Sequence, residues 1–149
     1  NADARAEFRG IHIGLVSRYP AFLRRLTVLE NVAMPLTLRG VPLAVREKYA
    51  RTQLKNLELL YIAQSRASQL TMYELQAAAI ARALVSQPEI LLLDDMSADL
   101  SIKDREKIGD LLREVHKSSG YTILELVSGI NHVVDADRMF NLANGKVSI

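Results

Sequence analysis

The sequence has no cysteine, no long apolar run and little net charge. Without cysteine, neither a disulfide nor a thiolate metal site can form. No stretch approaches the ~20 apolar residues that a membrane-spanning helix needs. A net charge of +2 gives no basis for nucleic-acid binding. With 49% apolar and 24% charged residues, the chain is predicted to be one soluble globular domain, 1–149, and we expect it in the cytoplasm.

The most informative segment is 87–101, QPEILLLDDMSADLS. Its apolar residues 90–93 predict a buried strand, and the strand ends abruptly in Asp94 and Asp95. An acid carried to the carboxyl end of a buried strand is the form of a Walker B segment, which holds Mg²⁺ beside nucleotide phosphates.

Alternating strand and helix patterns along the chain predict an α/β fold with a parallel sheet. Asn144-Gly145, between two short apolar stretches, is the strongest hairpin signal. Thr27 and Glu30 predict a capping box at the start of the first helix. The predicted strands are 11–16, 90–93 and 121–127, with 138–142 and 146–149 flanking the hairpin turn. The predicted helices are 26–38, 43–60, 72–86 and 101–118, with a helical turn at 131–136.

Two further segments carry a resemblance to a known family. Residues 70–74 read LTMYE, and the helix after them contains AAAIARALVSQP. With 90–95, they resemble the signature loop, helix and Walker B segment of an ABC-type ATPase domain. Residues 26–36, LTVLENVAMPL, are similar to the segment after the Q-loop in the group serving lipoprotein release and macrolide export. The resemblance implies a partial P-loop NTPase-type parallel sheet, an inserted helical subdomain at about 40–86 and a C-terminal β-hairpin.

The resemblance also assigns roles at the ends of three strands. Asp94 takes the Mg²⁺-ligand position, and Asp95 takes the position of the catalytic glutamate. Arg18 takes the place of the Q-loop glutamine, and Ser128 takes the place of the switch histidine. Aspartate is one methylene shorter than glutamate, and serine offers the γ-phosphate neither a cation nor an imidazole. These departures predict an impaired catalytic site.

The signature loop departs from its family pattern as well. The sequence LSGGQ falls on Leu70, Thr71, Met72, Tyr73 and Glu74. Its two glycines allow backbone N–H groups to approach the γ-phosphate of ATP held by the partner subunit. Side chains at Met72 and Tyr73 are expected to block that approach.

ATP and Mg²⁺ are the cofactors that the resemblance implies. The 149 residues contain no GxxxxGK[ST], the motif whose backbone cradles the phosphates and whose lysine reaches them. The first hypothesis is therefore a degenerate domain that does not hydrolyse ATP and acts through protein contacts in a transporter-type assembly. The alternative is part of an ATP-binding subunit that couples ATP hydrolysis to transport, with a P-loop upstream of residue 11.

The implied partners are a membrane-spanning transporter subunit, a second ABC-type domain or a second copy of the chain. The partner surface is expected at 22–60, and it would bring the domain to the inner face of the membrane. The strand 121–127 is expected to be an exposed sheet edge, and Glu125 suggests that this strand is partly wet or faces a partner.

Overall fold

The computed structural model describes residues 2–128 and 136–148. The larger sheet has three parallel strands in the order β1-β2-β3. A separate two-stranded hairpin, β4-β5, lies near the C-terminus. The strands are β1 Ile13–Ser17, β2 Ile90–Asp94, β3 Thr122–Leu126, β4 Asn141–Ala143 and β5 Lys146–Ser148. The helices are α1 Ala2–His12, α2 Val28–Leu38, α3 Leu43–Asn56, α4 Met72–Leu84 and α5 Ile102–Ser119, with short 3₁₀ turns at Leu60–Ile62 and Ala67–Gln69. The α/β class and the parallel sheet expected from the sequence are confirmed.

The register of the sheet aligns the carboxyl ends of its strands. Ser17 pairs with Asp94, and Asp94 pairs with Leu126. The residues that follow these three therefore emerge side by side at one edge. In open parallel sheets this edge is where ligands bind.

The core lies between one face of the sheet and the helices. Val16, Leu91 and Leu93 are at most 1% exposed, and they share this face with the half-buried Ile123. Helix α4 is buried on most sides, as its alanine-rich sequence predicts, and it packs against α2, α3 and β1. Gly14 permits the close approach of β1 to α4, since a Cβ there would lie 2.8 Å from the carbonyl oxygen of Ala83.

Local signals fix several element ends. The predicted capping box at Thr27 and Glu30 is present at the start of α2, and an equivalent box at Thr71 and Glu74 starts α4. Gly120 ends α5 in the left-handed conformation, with φ of 67°. The hairpin turn at Asn144-Gly145 forms as predicted, with positive φ at both residues.

Two predicted elements differ from the structure. The segment before residue 11 is helical, and α1 extends through His12, so the first strand begins two residues later than predicted. Helix α3 ends at Asn56 and not at 60, because Glu58 adopts a positive φ of 58° and the chain turns into a 3₁₀ segment.

The sequence predicts an apolar stripe on α3, since Val45, Tyr49, Leu54, Leu57 and Leu60 recur near the helical period, and this prediction is wrong in part. Leu54 and Leu57 are buried, whereas Val45, Tyr49 and Leu60 are between 42% and 46% exposed. Helix α3 lies at the periphery and buries only a narrow face, so side chains beside that face remain in solvent.

Strand β3 is an edge of the sheet and is partly exposed, as expected, but Glu125 does not lie on its exposed face. Glu125 is half-buried, and burial raises its pKa, whereas Leu124 and Leu126 are 51% and 41% exposed. The strand alternation places Glu125 on the helix-covered face. The helical turn expected at 131–136 lies almost wholly outside the described residues. Within the described ranges no helix is long and apolar enough to cross a bilayer.

Candidate functional site at the carboxyl edge of the sheet

Three loops meet where the parallel strands end. Arg18 follows β1, Asp95 and Asp99 follow β2, and Ser128 lies two residues after β3. Sequence resemblance gave Arg18, Asp95 and Ser128 related roles, and the structure brings these three side chains into one hydrogen-bonded cluster. Asp94, the last residue of β2, is exposed beside them.

Arg18 is the centre of this cluster. Its Nε and Nη2 donate to the two carboxylate oxygens of Asp99, at 2.8 and 2.6 Å. Its Nη1 donates to Oδ2 of Asp95 at 3.4 Å. The two-pronged contact matches the planar geometry of guanidinium and carboxylate, which makes it stronger than a single ion pair.

The pairing shifts the pKa values of Asp99 and Arg18 in opposite directions. The hydrogen bond from Arg18 lowers the pKa of Asp99 from 3.8 to about 2. The same hydrogen bond raises the pKa of Arg18 above its ordinary value, although burial opposes it. Both side chains therefore keep their charges across the physiological pH range.

Asp95 is engaged on both of its oxygens. Oδ1 accepts hydrogen bonds from the backbone N–H and the hydroxyl of Ser128, at 3.2 and 2.9 Å, while Oδ2 faces Arg18. The backbone of Asp95 is in the left-handed region, with φ of 50°, and its N–H donates to the carbonyl of Leu126. Such a conformation is costly for a residue with a Cβ and places this side chain toward the neighbouring loops.

The start of α4 carries the residues of the signature-loop positions. Thr71 is the N-cap, and Met72 and Tyr73 begin the helix. The Glu74 carboxylate accepts hydrogen bonds from both the backbone N–H and the hydroxyl of Thr71, at 2.8 and 2.9 Å. Both bonds lower the pKa of Glu74, and the bond from the backbone N–H has the larger effect. A carboxylate of the chain itself therefore lies at the helix end that would otherwise favour a phosphate.

Met72 and Tyr73 stand at this end in different environments. Met72 is 41% exposed. Tyr73 packs against the core, and the ammonium of Lys107 lies 4.9 Å from the centre of its ring. Burial raises the pKa of Tyr73, so its hydroxyl stays protonated at neutral pH.

Among the described residues, this edge shows no preformed metal site. Among residues 2–128 and 136–148, no group of three or more His, Asp or Glu side chains is placed to hold a metal ion. The Asp95 and Asp99 carboxylates face a guanidinium, and the helix end at Thr71 faces a carboxylate.

Sequence reasoning missed two residues of the cluster. Asp99 was not assigned a role, although it is the principal partner of Arg18. Gln76 is buried, and its Nε2 donates to the backbone carbonyl of Arg18 at 2.7 Å, which ties the loop after β1 to α4. The chain turns after β2, where the Ala98 N–H donates to the carbonyl of Asp95, and this turn brings Asp99 to Arg18.

Comparison with known proteins places the chain in a family. The family model described as ABC transporter matches residues 2–98. The chain is 35% identical over 144 residues to the lipoprotein-releasing system ATP-binding protein LolD of Koribacter versatilis, covering 97% of this chain and 65% of that protein. It is 36% identical over 143 residues to LolD of Myxococcus xanthus, covering 96% and 64%. The chain thus spans less than two thirds of the length of these curated relatives.

Solved structures give the same assignment. The dimeric post-hydrolysis state of the ATP-binding cassette MJ0796, bound to ADP and Pi, superimposes with a TM-score of 0.75 at 33% identity. The match covers 89% of this chain and 59% of that one. The similarity to the lipoprotein-release group expected from residues 26–36 is confirmed. On its sequence and its fold, the chain belongs to the ABC transporter family.

Proposed function

We propose that this chain is a non-hydrolysing ABC-type domain that acts through protein–protein contacts in a transporter-type assembly. The observation that carries the proposal is the position of Arg18, whose guanidinium pairs with Asp95 and Asp99 at once. Asp95 stands where a general base would be needed. A carboxylate that already accepts from Ser128 and faces a guanidinium is a poor proton acceptor, because protonating it would break both interactions.

The start of α4 supports the same proposal. Phosphate binding there would require the Glu74 carboxylate to leave the Thr71 backbone donor and Met72 to move aside. Both changes oppose binding, one by lost hydrogen bonds and one by steric conflict. The chain's signature positions therefore favour a closed helix end over an anion site.

The partner surface is proposed within 22–60, in the loop before α2, α2 itself and α3. Relatives that match nearly the whole chain are named ATP-binding proteins of a lipoprotein-releasing system, and the MJ0796 cassette is described as dimeric. By this similarity, the partner is a membrane-spanning transporter subunit, a second ABC-type domain or a second copy. Such a partner would hold the domain at the cytoplasmic face of a membrane.

A nucleotide titration tests the proposal. A fluorescent ATP analogue is added to the wild-type chain with and without Mg²⁺, and the same titration is made on Asp94→Ala. We expect no saturable binding up to about millimolar nucleotide, the upper end of the usual range of KM values. Saturable, Mg²⁺-dependent binding that Asp94→Ala abolishes would overturn the proposal and favour a coupling ATPase.

Arg18→Gln, which puts the family's residue back in the loop after β1, sharpens this test. It removes the guanidinium from Asp95 and Asp99 while keeping a side chain that can donate a hydrogen bond. If Arg18 is what excludes the metal, Mn²⁺ binding followed by electron paramagnetic resonance should be stronger in Arg18→Gln than in wild type. Equal, strong Mn²⁺ binding in both would contradict this role for Arg18.

A further inference from the structure

A small cavity lies beside the amino end of β1, the outermost strand of the sheet. Its volume is about 200 Å³, and it is bordered by the end of α1, the first residues of β1, α2 and the end of α4. Leu15 is 55% exposed, so the cavity opens to solvent beside the strand. Arg18 and its partners follow the other end of β1, so a site here is independent of the proposed function.

The lining of this cavity is apolar except for two side chains. No Asp or Glu is among the described residues that line it. The cavity therefore presents one formal positive charge and no negative one. The apolar side chains are Ile13, Leu15, Pro35 and Ala83, and the polar ones are Arg82 and Ser86.

Arg82 is a cation without an acidic partner. Its Nη1 donates to the carbonyl of Ala21 at 2.6 Å, and its guanidinium lies 4.6 Å from the centre of the Phe22 ring. Within 2–128 and 136–148, no carboxylate pairs with Arg82, and its Nε and Nη2 donate to no acceptor. Burial lowers the pKa of Arg82. A half-buried guanidinium with unused donors favours an anionic ligand.

Ser86 provides a second unused donor. Its Oγ is buried and has no hydrogen-bond partner among the described residues. Val85 keeps helical backbone angles after the end of α4, and residues four apart on a helix lie on the same face. Arg82 and Ser86 accordingly line the same cavity. A buried hydroxyl without a partner is costly, and an acceptor on a ligand would satisfy it.

We propose that this cavity binds a small aliphatic monocarboxylate of about the size of hexanoate. The carboxylate accepts hydrogen bonds from the unused donors of Arg82 and from the hydroxyl of Ser86, and the aliphatic chain lies against the apolar wall. An apolar cavity of about 150 Å³ holds one benzene molecule. The volume of about 200 Å³ therefore has room for roughly eight heavy atoms, the number in hexanoate.

The lining favours a carboxylate over a phosphate. A carboxylate carries one charge, which the single guanidinium balances. A phosphate carries more charge and more acceptor oxygens than Arg82 and Ser86 can satisfy. The carbonyl groups at the end of α4 also oppose a strongly charged ligand. Two of these carbonyls, those of Ala81 and Leu84, already accept backbone hydrogen bonds, which reduces their effect on a singly charged one.

A titration of the full chain followed by amide NMR tests the proposal. Hexanoate is added up to about 20 mM, and we expect saturable binding with a Kd of the order of 1 mM. The amide signals of Gly10, Gly14 and Ser86 should shift, because these residues line the cavity. Hexanamide, which has the same size without the charge, should bind at least tenfold more weakly. Inorganic phosphate, which has no aliphatic chain, should also bind at least tenfold more weakly.

Three variants locate the ligand. Ser86→Ala should weaken hexanoate binding about tenfold, since a hydrogen bond to a charged acceptor is lost. The unfolding midpoint of Ser86→Ala without ligand should not fall, because the hydroxyl has no partner to lose. Arg82→Gln should weaken binding more than tenfold. Arg51→Gln, which removes the same charge from an exposed position on α3, should keep the Kd within about twofold.

Circular dichroism checks the fold of Arg82→Gln, because Arg82 also contacts Ala21 and Phe22. If this variant does not fold, Ser86→Ala decides the question. Undiminished binding by a folded Ser86→Ala would overturn the inference, and so would an absence of saturable shifts in the wild type. Equal weakening in Arg51→Gln and Arg82→Gln would mean that net charge alone attracts hexanoate. Equal affinity for hexanamide or for phosphate would mean that the cavity is not a monocarboxylate site.

Discussion

Arg18→Gln gives the most direct test of how the carboxyl edge of the sheet is organised. Arg18 contacts both oxygens of Asp99, and this hydrogen bond is the largest cause of the low pKa of Asp99, about 2 against an ordinary 3.8. Without the guanidinium, the pKa of Asp99 should return most of the way to 3.8, an upward change of somewhat less than two pH units.

The assay is a titration of side-chain carboxyl signals by NMR between about pH 1.5 and 6, a range that brackets both values. Asp104 is an internal control, because its low pKa arises first from a hydrogen bond with Ser101 and not from Arg18. It should titrate at the same pH in wild type and variant. Arg18→Lys, which keeps the charge but loses the two-pronged contact, should give an intermediate pKa for Asp99.

The pH dependence of stability follows with a definite sign. The folded-state pKa of Asp99 is depressed, so the stabilisation from its charged form is present above pH 4 and is lost as pH falls from about 4 to about 2. In Arg18→Gln, the unfolding midpoint should therefore change less with pH across this window than it does in the wild type. An Asp99 signal that titrates near pH 2 in the variant would refute the reasoning, since some other group would then be holding the carboxylate.

The remaining predictions concern packing and helix ends. Gly14→Ala should lower the free energy of unfolding by about 1–3 kcal/mol in urea denaturation, because the new Cβ would meet the Ala83 backbone. Gly10→Ala is the control, since its Cβ has open space and the free energy of unfolding should not fall. Thr71→Ala removes the cap of α4 and should cost about 1 kcal/mol by the same assay, and unchanged stability would contradict the capping role. Leu93→Ala should cost about 2–5 kcal/mol on thermal unfolding, because Leu93 is fully buried.

The sequence predicted which residues lie at the site, but it did not predict which side chains contact one another there. The resemblance placed Arg18, Asp95 and Ser128 at strand ends, and a parallel sheet brings such ends to one edge. It could not reveal that Arg18 pairs with Asp99, because this pairing depends on the path of the turn after β2.

The position of Glu125 shows the same limit. An acid in a strand of apolar residues suggests a wet face, but strand alternation alone does not say which face the helices cover. In the structure, Glu125 lies on the covered face near Ser97, and Leu124 and Leu126 lie on the exposed one. The register against β2 decides this, and register is a property of the assembled sheet.

Several features of this protein are determined by its sequence alone. Short-range chemistry suffices for them: the capping boxes at Thr27 and Thr71, the left-handed stop at Gly120 and the turn at Asn144-Gly145 each depend on residues within four positions of one another. The family was also readable, since its motifs keep their order and spacing.

Tertiary structure decided what those motifs contact. The pairing of Arg18 with Asp99 joins residues 81 positions apart, and the bond between Asp95 and Ser128 joins residues 33 apart. The exposed face of α3 likewise exists because α2 and α4 cover only the opposite side of that helix. Contacts of this kind depend on how the elements pack together, and a local pattern carries no record of that packing.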